Sequence, residues 1–457
     1  MSSTKHLKIS IGITIALLVI NVLLIIIFPS KPLKIKDIIT PNSAIDPQIK
    51  ISFSEPVEKS SLTDGGFIIT PNIAGNISWA GNTFVFTPEQ NLDFDTEYRI
   101  QLNTVIESKR NTRLAENINL TFKTPPLQLL YLNKKNEISS QIFQYNIETG
   151  ISTAITDEQH NIHWFDYDPT TRQIVALLTD KDSSSDIVKP YLLNLEEQTF
   201  EPLPKITEPD LQIHYAKWIP YENSLLISRS KIQYINPDDT IATLTGNSED
   251  TEMIVYNLTN KESTQLLTGN TLFYEFFPTP DGLGFSFINS NGALVAYNFA
   301  TSDQEMISAQ FINYFGFSHY GKYALYADKI ADDNFLNEED IAVIQSADGA
   351  KKEVRLQGVN PIVIDHLATA PSEETLAAAY TSYPAEFRIA LVDMETGEQT
   401  LMNESGHRTR AIEFSPNSEY FAYIEDQYDT PKIFIYSMEK KENIVKNVSG
   451  SMIHWLY

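Results

Sequence analysis

Three histidines occur in short segments of similar sequence that are far apart in the chain. The segments are Ile162-His163-Trp164-Phe165, Ile213-His214-Tyr215-Ala216 and Ile453-His454-Trp455-Leu456. Neutral imidazoles that converge from neighbouring strands are common ligands of divalent metals such as zinc. If the fold brings these strands together, the pattern predicts a divalent metal ion held by His163, His214 and His454.

The histidines belong to a larger set that is defined by its distance from a turn. His163 and His214 lie six residues before Pro169 and Pro220, and the same count from four further turns reaches Tyr274, Asn313, Asp365 and Arg410. The position two residues nearer the turn is apolar in every copy. Around a common channel these polar side chains would form a ring, so the four added residues are candidates for ligand binding. The alternative is that they are polar because they contact trapped water.

These turns belong to an internal repeat that fills residues 127–457. In its first half an apolar strand leads to a turn, which contains proline in five copies and His319 in the sixth. In its second half an apolar strand leads to a polar turn, and there are seven such copies, the first at Ile142 and the last at Ile433. The strand Ile453–Leu456 would supply the missing seventh first half by pairing near Leu129–Leu132, which removes an open sheet edge.

Seven repeats of this kind predict a seven-bladed β-propeller that is closed by the C-terminal strand. The repeats resemble the TolB-type propellers, which are related to WD repeats, and Pro280-Asp281-Gly282 is the clearest copy of that family's turn. Because propellers include both enzymes and binding platforms, this resemblance implies the fold and leaves the function open.

Residues 35–124 contain short alternating strands, such as Ile49–Phe53 and Thr83–Phe86, and predict an antiparallel β-sandwich. The segment resembles the bacterial Ig-like domain of the surface-layer-protein type in Ile51-Ser52-Phe53-Ser54-Glu55-Pro56-Val57 and in Phe84-Val85-Phe86-Thr87-Pro88. The closing residues Phe122-Lys123-Thr124 extend the resemblance. It implies a spacer in an exported bacterial protein.

Residues 9–28 form an uncharged apolar run of a length that can cross a bilayer as a helix. Lysines precede the run, as in a signal anchor, and residues 1–8 would form a cytoplasmic tail. Together with the resemblance to exported domains, this predicts a single-pass protein of the cell membrane with most of the chain outside the cytoplasm. The expected fold class is therefore all-β behind one N-terminal transmembrane helix.

Composition narrows the range of partners and chemistry. The formal net charge is −25 and no cluster of basic residues offsets it, which argues against nucleic acid as a partner. The chain has no cysteine, so disulfides and thiolate chemistry are excluded. The acidic segment Asp328–Asp340 departs from the Ca²⁺-binding loop pattern at Ile330 and Asp333, and a solvated loop is the preferred interpretation.

Two functions remain open. The chain lacks the G-x-S-x-G, H-E-x-x-H, P-loop and G-x-G-x-x-G motifs, which removes the commonest hydrolase, zinc-protease and nucleotide-binding interpretations. The preferred hypothesis is a membrane-anchored binding or scaffold protein whose propeller recognises another protein or a cell-envelope glycan. The alternative is a metal-dependent polysaccharide lyase or hydrolase that uses the histidines of the channel.

Overall fold

The computed structural model describes residues 32–456, apart from 42, 46, 137–138, 181–187, 198, 204–205, 207–210, 232–250, 270–275, 309–312, 319–320, 331–338, 403–406 and 428–429. The described part is almost entirely β, with a single five-residue helix, α1 (Lys59–Thr63). The chain divides into two compact units between Pro126 and Leu127. Each unit has its own hydrophobic core.

The predicted membrane location is contradicted by the structure. The apolar run at residues 9–28 and the tail at residues 1–8 lie outside the described residues. Among the residues that are described, no helix is long and apolar enough to cross a membrane. A single-pass location at the cell membrane is therefore not supported.

The first unit is a sandwich of two antiparallel sheets. Its strands are β1 (Ile35–Ile39), β2 (Ile49–Phe53), β3 (Phe67–Thr70), β4 (Gly75–Ala80), β5 (Thr83–Pro88), β6 (Glu97–Leu102) and β7 (Ile118–Lys123). One sheet has the order β1-β2-β5-β4 and the other β3-β6-β7. Side chains of β2, β5 and β6 are buried at alternate positions, as a sheet with one covered face requires.

The core of this sandwich is aromatic and aliphatic. Phe53, Phe84, Phe86, Tyr98 and Leu102 are buried, and Trp79 and Phe122 are partly buried against them. The alternation of the sequence was sufficient to find this core.

In the described part of residues 127–456, the second unit contains five four-stranded sheets and one eight-stranded sheet. The eight-stranded sheet consists of two four-stranded groups that join where Ser140 pairs with Asn161, so there are seven four-stranded groups, called blades here. Blade 1 has β8 (Gln128–Asn136), β9 (Ser139–Asn146) and β10 (Ser152–Ala154), and blade 2 has β11 (His160–Asp168), β12 (Gln173–Asp180), β13 (Lys189–Asn194) and β14 (Thr199–Pro202). Blade 3 has β15 (Leu211–Trp218), β16 (Ser224–Lys231), β17 (Thr251–Asn257) and β18 (Glu262–Gly269). Blade 4 has β19 (Phe276–Pro278), β20 (Gly284–Ile288), β21 (Leu294–Asn298) and β22 (Gln304–Ser308).

The remaining blades repeat this order. Blade 5 has β23 (Asn313–Phe317), β24 (Tyr323–Ile330), β25 (Glu339–Ser346) and β26 (Lys351–Val354). Blade 6 has β27 (Val363–Thr369), β28 (Thr375–Ser382), β29 (Glu386–Asp393) and β30 (Gln399–Leu401). Blade 7 has β31 (Thr409–Phe414), β32 (Tyr420–Gln427), β33 (Thr430–Ser437) and β34 (Glu442–Ser449), and β35 (Ser451–Leu456) completes blade 1.

The C-terminal strand pairs with the first strand of this unit, as the sequence predicted. Ile453 lies opposite Tyr131 and Trp455 lies opposite Leu129 in an antiparallel ladder between β35 and β8. No sheet in the described part closes on itself. Instead, the innermost strands β35, β11, β15, β19, β23, β27 and β31 each contact the next one around the unit, and β31 returns to β35. This arrangement is a β-propeller.

The second strand of a blade shows why the sequence can form this fold. In β12 the five residues Ile174–Leu178 are all buried, and in β28 the same is true of Leu376–Tyr380. A strand with both faces covered needs apolar residues on both faces, because each blade packs between two others. Continuous apolar runs therefore mark these strands, in contrast to the alternating strands of the sandwich.

Candidate functional site

Six of the seven inner strands carry a β-bulge in the described residues. The bulge residues are His163, His214, Phe315, Asp365, Arg410 and Met452. The extra residue is left out of the ladder and the strand locally changes the direction of its side chains. Four of the residues predicted for the ring, His163, His214, Asp365 and Arg410, occupy this equivalent position.

These four bulge residues make the same kind of contact within their blades. His163 Nε2 lies 3.1 Å from Thr179 Oγ1, and His214 Nε2 lies 2.8 Å from Ser230 Oγ. The hydroxyl of Thr381 donates to Asp365 Oδ2 at 2.8 Å, and Arg410 Nε donates to Asp426 Oδ2 at 2.5 Å. Each partner lies 16 residues further along, on the second strand of the same blade. Each of these four side chains is thus bonded to the second strand of its own blade.

The remaining predicted ring residues do not share this geometry. Tyr274 lies outside the described residues. Asn313 is exposed in regular pairing with Ala327, and the bulge of blade 5 falls two residues later, at Phe315. Counting six residues back from His319 therefore does not reach the bulge of this blade. In blade 1 the bulge residue is Met452, at a φ of 52°, and His454 pairs regularly with Leu130.

The structure places the three histidines of the predicted metal site in different surroundings. His163 and His214 contact hydroxyls of their own blades, whereas His454 lies between two carboxylates. Among the described residues, no group of three or more His, Asp or Glu side chains is arranged to hold a metal ion. The physical reason is the bulge, because it places His454 at a different level of the inner strand from His163 and His214.

His454 instead connects three blades. Its Nδ1 lies 3.4 Å from Glu413 Oε2 on β31, and its Nε2 lies 3.7 Å from Asp166 Oδ1 on β11. Both carboxylates also accept a backbone N–H of the next inner strand. Asp166 Oδ2 accepts from Trp218 N at 2.9 Å, and Glu413 Oε1 accepts from Trp455 N at 3.1 Å.

Burial and charge act in opposite directions on this group. Burial alone lowers the pKa of His454, but the Glu413 and Asp166 carboxylates outweigh it and raise the pKa above its usual value. Burial also raises the pKa of Asp166, and the charges of His454 and Lys217 oppose that rise. The two carboxylates therefore favour the protonated form of the His454 imidazole, since one lies near each ring nitrogen.

The sequence contains a signal for this cluster that the predicted ring does not include. Asp166, Lys217 and Glu413 each lie three residues before the turn proline of their repeat. The predicted ring uses the positions six and four residues before the turn, whereas the charged residues lie three residues before it. Since the bulge shifts the side-chain alternation, the charged layer falls on a position that simple alternation from His163 would assign to the other face.

The two faces of the propeller differ. Turns that follow the inner strands contact one another from blade to blade: Ser318 Oγ donates to Glu373 at 3.0 Å, and Ser372 N donates to Ser418 Oγ at 3.2 Å. At Gly282, which has a φ of +71°, a Cβ would lie 2.3 Å from Pro220 O, so only glycine fits between these turns. We call this side the turn face.

The opposite side, on which the inner strands begin, is called the bulge face. It carries Arg408, whose Nε donates to Asp365 Oδ1 of the neighbouring blade at 2.6 Å, and Arg410. Both arginine side chains are more than half exposed, at 59% and 64%. Asp365 is almost fully buried beneath this ion pair.

Three exposed apolar side chains lie at the same end of blade 6 as Asp365, the partner of Arg408. Val359, Val363 and Tyr383 are 60%, 45% and 61% exposed. Tyr383 N donates to Val359 O at 3.0 Å, and Val363 begins the strand that contains Asp365. Arginine and tyrosine are enriched in the cores of protein interfaces.

The acidic segment Asp328–Asp340 is described only at its ends. Asp328–Ile330 belong to β24 and Glu339–Asp340 to β25, and residues 331–338 lie outside the described residues. Asp340 is buried and its Oδ2 accepts the backbone N–H of Ile364 at 2.9 Å. This carboxylate therefore joins blade 5 to blade 6.

Comparison with known proteins agrees with both folds. Residues 35–124 match the family described as bacterial Ig-like domain, over the range predicted from the sequence. A search of curated proteins finds no match to the chain.

Similar solved structures are β-propeller proteins. A prolyl endopeptidase shares 9% identity at a TM-score of 0.50 over 79% of this chain and 49% of that chain, so the match spans about half of the endopeptidase. TolB from Acinetobacter baumannii shares 11% identity at a TM-score of 0.42, over 85% of this chain and 82% of that chain. An oligogalacturonate lyase in complex with manganese shares 11% identity at a TM-score of 0.47, over 70% of this chain and 83% of that chain. At these identities the likeness concerns the fold alone.

Proposed function

We propose that this chain is a non-enzymatic binding protein whose propeller recognises a partner protein with its bulge face, while the Ig-like unit serves as a spacer. The observation that carries the proposal is the exposed apolar group Val359, Val363 and Tyr383 on the bulge face, which also carries Arg408 and Arg410. Contiguous exposed apolar side chains with a polar rim are typical of interaction sites.

The charge of this surface indicates what it binds. The chain as a whole is strongly acidic, with a formal net charge of −25, yet this face carries two exposed arginines, Arg408 paired with Asp365 and Arg410 paired with Asp426. Arginine pairs with carboxylates through a planar, five-donor group. The partner expected here is a protein segment that combines an apolar side chain with an acidic one.

The hydrogen bonds of the polar residues on the inner strands favour a rigid binding surface. His163, His214 and Asp365 bond within their blades, and Asp166 and Glu413 bond to backbone N–H groups of the next blade. These contacts hold the strands in place and leave the same side chains less free for catalysis.

A metal-dependent enzyme has less support. A histidine must offer a neutral ring nitrogen to bind a metal. His454 lies between Glu413 and Asp166 with a raised pKa, which favours the protonated ring. No observation on the described residues favours the enzymatic alternative over binding.

Quantitative affinity capture tests this proposal with the full chain as bait. Wild type is compared with a Tyr383→Ser, Arg410→Glu double variant and with Tyr221→Ser, a control on the turn face where Tyr221 is 78% exposed. A partner protein should be recovered by wild type and the control and be lost at least tenfold with the double variant. Equal recovery by all three baits, or recovery of a carbohydrate in place of a protein, would overturn the proposal.

A further inference from the structure

A cavity of 620 Å³ lies between blades 1 and 2, on the turn side of the propeller. One wall is the segment Thr153–Asp157, which includes the end of β10, and the other is formed by Arg172 and the turn at Leu193–Leu195. Phe200 and Leu456 complete it. Its volume is within the range of about 300 to 1,000 Å³ that is usual for small-molecule sites.

Arg172 is the notable group in this cavity. Its side chain is only 19% exposed, and its nearest acidic partner, Glu196 Oε1, is 3.9 Å from Nε and belongs to a largely exposed side chain. Within the described part of the chain, no hydrogen bond to the guanidinium is found. A guanidinium has five N–H donors, so one long contact with a carboxylate leaves donors available to a ligand. The cavity therefore presents a cation whose contact with Glu196 is long, at 3.9 Å, and which can accept a closer carboxylate from a ligand.

The side-chain amide of Asn194 provides a second hydrogen-bond donor for a ligand. Asn194 Oδ1 accepts the backbone N–H groups of Glu196 and Glu197, at 2.9 and 3.1 Å. Because the oxygen is engaged by the turn, the amide NH₂ of Asn194 is oriented as a donor, and within the described residues it has no acceptor. A ligand carbonyl would satisfy it.

The rest of the lining restricts the ligand further. Ile155, Leu195, Phe200 and Leu456 provide apolar surface. Asp157 also lines the cavity, and its negative charge disfavours a second anionic group on the ligand.

We propose that this cavity binds an organic monocarboxylate that carries an apolar side chain and an amide, which is the chemistry shared by an N-acyl amino acid and the carboxyl terminus of a peptide. The carboxylate pairs with Arg172, for which two parallel N–H···O bonds are the favoured geometry. The amide carbonyl accepts from Asn194, and the apolar side chain contacts Leu195 and Phe200. This site is separate from the bulge face and does not depend on the proposed partner protein.

The direct test compares acids with their amides on the wild-type full chain. The probes are N-acetyl-alanine, N-acetyl-leucine and N-acetyl-phenylalanine, each beside its carboxamide, and binding is measured by ligand-observed saturation-transfer NMR and titration. At least one acid should bind, and its amide should bind at least tenfold more weakly. If none of the acids binds at 10 mM (about the weakest affinity of interest), or if acid and amide bind equally, the proposal is wrong.

Substitutions in and outside the cavity test where the acid binds. Arg172→Gln should weaken binding of the acid at least tenfold, whereas Arg355→Gln, an exposed arginine elsewhere on the propeller, should leave it unchanged. Glu196→Gln removes the carboxylate nearest to Arg172 and should strengthen binding. The Glu196 variant keeps the test decisive if Arg172→Gln fails to fold. Unchanged affinity in both the Arg172 and Glu196 variants would place the acid elsewhere and overturn the proposal.

The two natural sources of this chemistry can be separated by length. N-acetyl-Ala-Ala-Leu is compared with N-acetyl-leucine under the same conditions. Tighter binding of the longer acid indicates the carboxyl terminus of a peptide, and equal or weaker binding indicates a small free acid. Both results support the site, because each requires the carboxylate and Arg172.

Discussion

His454 and Glu413 form an ion pair across two neighbouring inner strands, with Nδ1 3.4 Å from Oε2. His454 belongs to the C-terminal strand β35 and Glu413 to β31 of the last blade. The next residue, Trp455, adds two bonds to the same partner, since its indole Nε1 donates to Glu413 O at 2.9 Å and its backbone N to Glu413 Oε1. The end of the chain is thus attached to the strand before it as well as to β8.

The first prediction concerns stability at alkaline pH. Burial alone would lower the pKa of His454, but Glu413 and Asp166 raise it above the unfolded value of about 6.5. A raised pKa stabilises the fold fully below pH 6.5, and the contribution is lost as pH rises through the folded value. The free energy of unfolding, measured with urea, should therefore fall between pH 6.5 and 9 in wild type. It should fall less over this range in His454→Gln. Parallel pH profiles for variant and wild type would exclude this role of His454.

The second prediction concerns acid pH and has the opposite sign. Burial lowers the pKa of His366 to about 4, so its neutral form is favoured in the folded state. The unfolded chain takes up the proton first, and stability falls as pH drops from 6.5 towards 4, by up to about 3 kcal/mol.

His366→Phe keeps a ring beside Phe315, whose centroid lies 5.6 Å from the imidazole, and removes the titration. The free energy of unfolding of this variant should change less between pH 6.5 and 4 than that of wild type. A residual slope is expected because burial also lowers the pKa of His214. If the slope does not change at all in the variant, His366 is not the group that titrates.

The third prediction concerns the closing strand. Trp455 is 2% exposed, and Trp455→Ala should cost about 3 to 5 kcal/mol of unfolding free energy. Trp455→Phe, which loses the indole bond to Glu413 O but keeps a ring, should cost less. Deleting residues 452–457 should lower the urea midpoint of the whole propeller in one cooperative step. A deletion that unfolds only blade 1, or leaves the midpoint unchanged, would contradict closure by β35.

The fourth prediction concerns the first unit. A fragment of residues 33–125 should unfold cooperatively by itself, because the aromatic core of the sandwich comes entirely from this range. Phe86→Ala should lower the free energy of unfolding of this fragment by about 3 to 5 kcal/mol, since Phe86 is buried and its ring contacts Phe67. Ile68→Ala, at an exposed position, is the control and should change little. A fragment without a cooperative transition would show that the boundary is wrong.

Sequence patterns predicted the fold well because the burial of a side chain determines whether its position in a strand is apolar or polar. Alternation in Ile49–Phe53 and Thr83–Phe86 located the sandwich, and the similarity of Ile453–Leu456 to Ile162–Phe165 located the strand that pairs with β8. Both features depend only on which side chains face a core.

The charged site was not predicted for a reason that is also physical. A bulge adds one residue without changing the composition of a strand, so its place in β35, at Met452, and in β23, at Phe315, could not be read from the similarity of segments. The His454 cluster depends on that register and on strands from three repeats, and the Arg172 cavity depends on the side-by-side packing of blades 1 and 2.

The most direct measurement of the proposed function is site-specific photo-cross-linking on the bulge face. The full chain is prepared with p-benzoylphenylalanine in place of Tyr383 or, as the control on the turn face, in place of Tyr221, and is irradiated in an extract of cells that make this protein. Binding through the bulge face predicts a protein adduct that is at least tenfold more abundant from position 383 and that is lost when Arg410→Glu is added. Equal adducts from both positions, or no protein adduct from position 383, would contradict it.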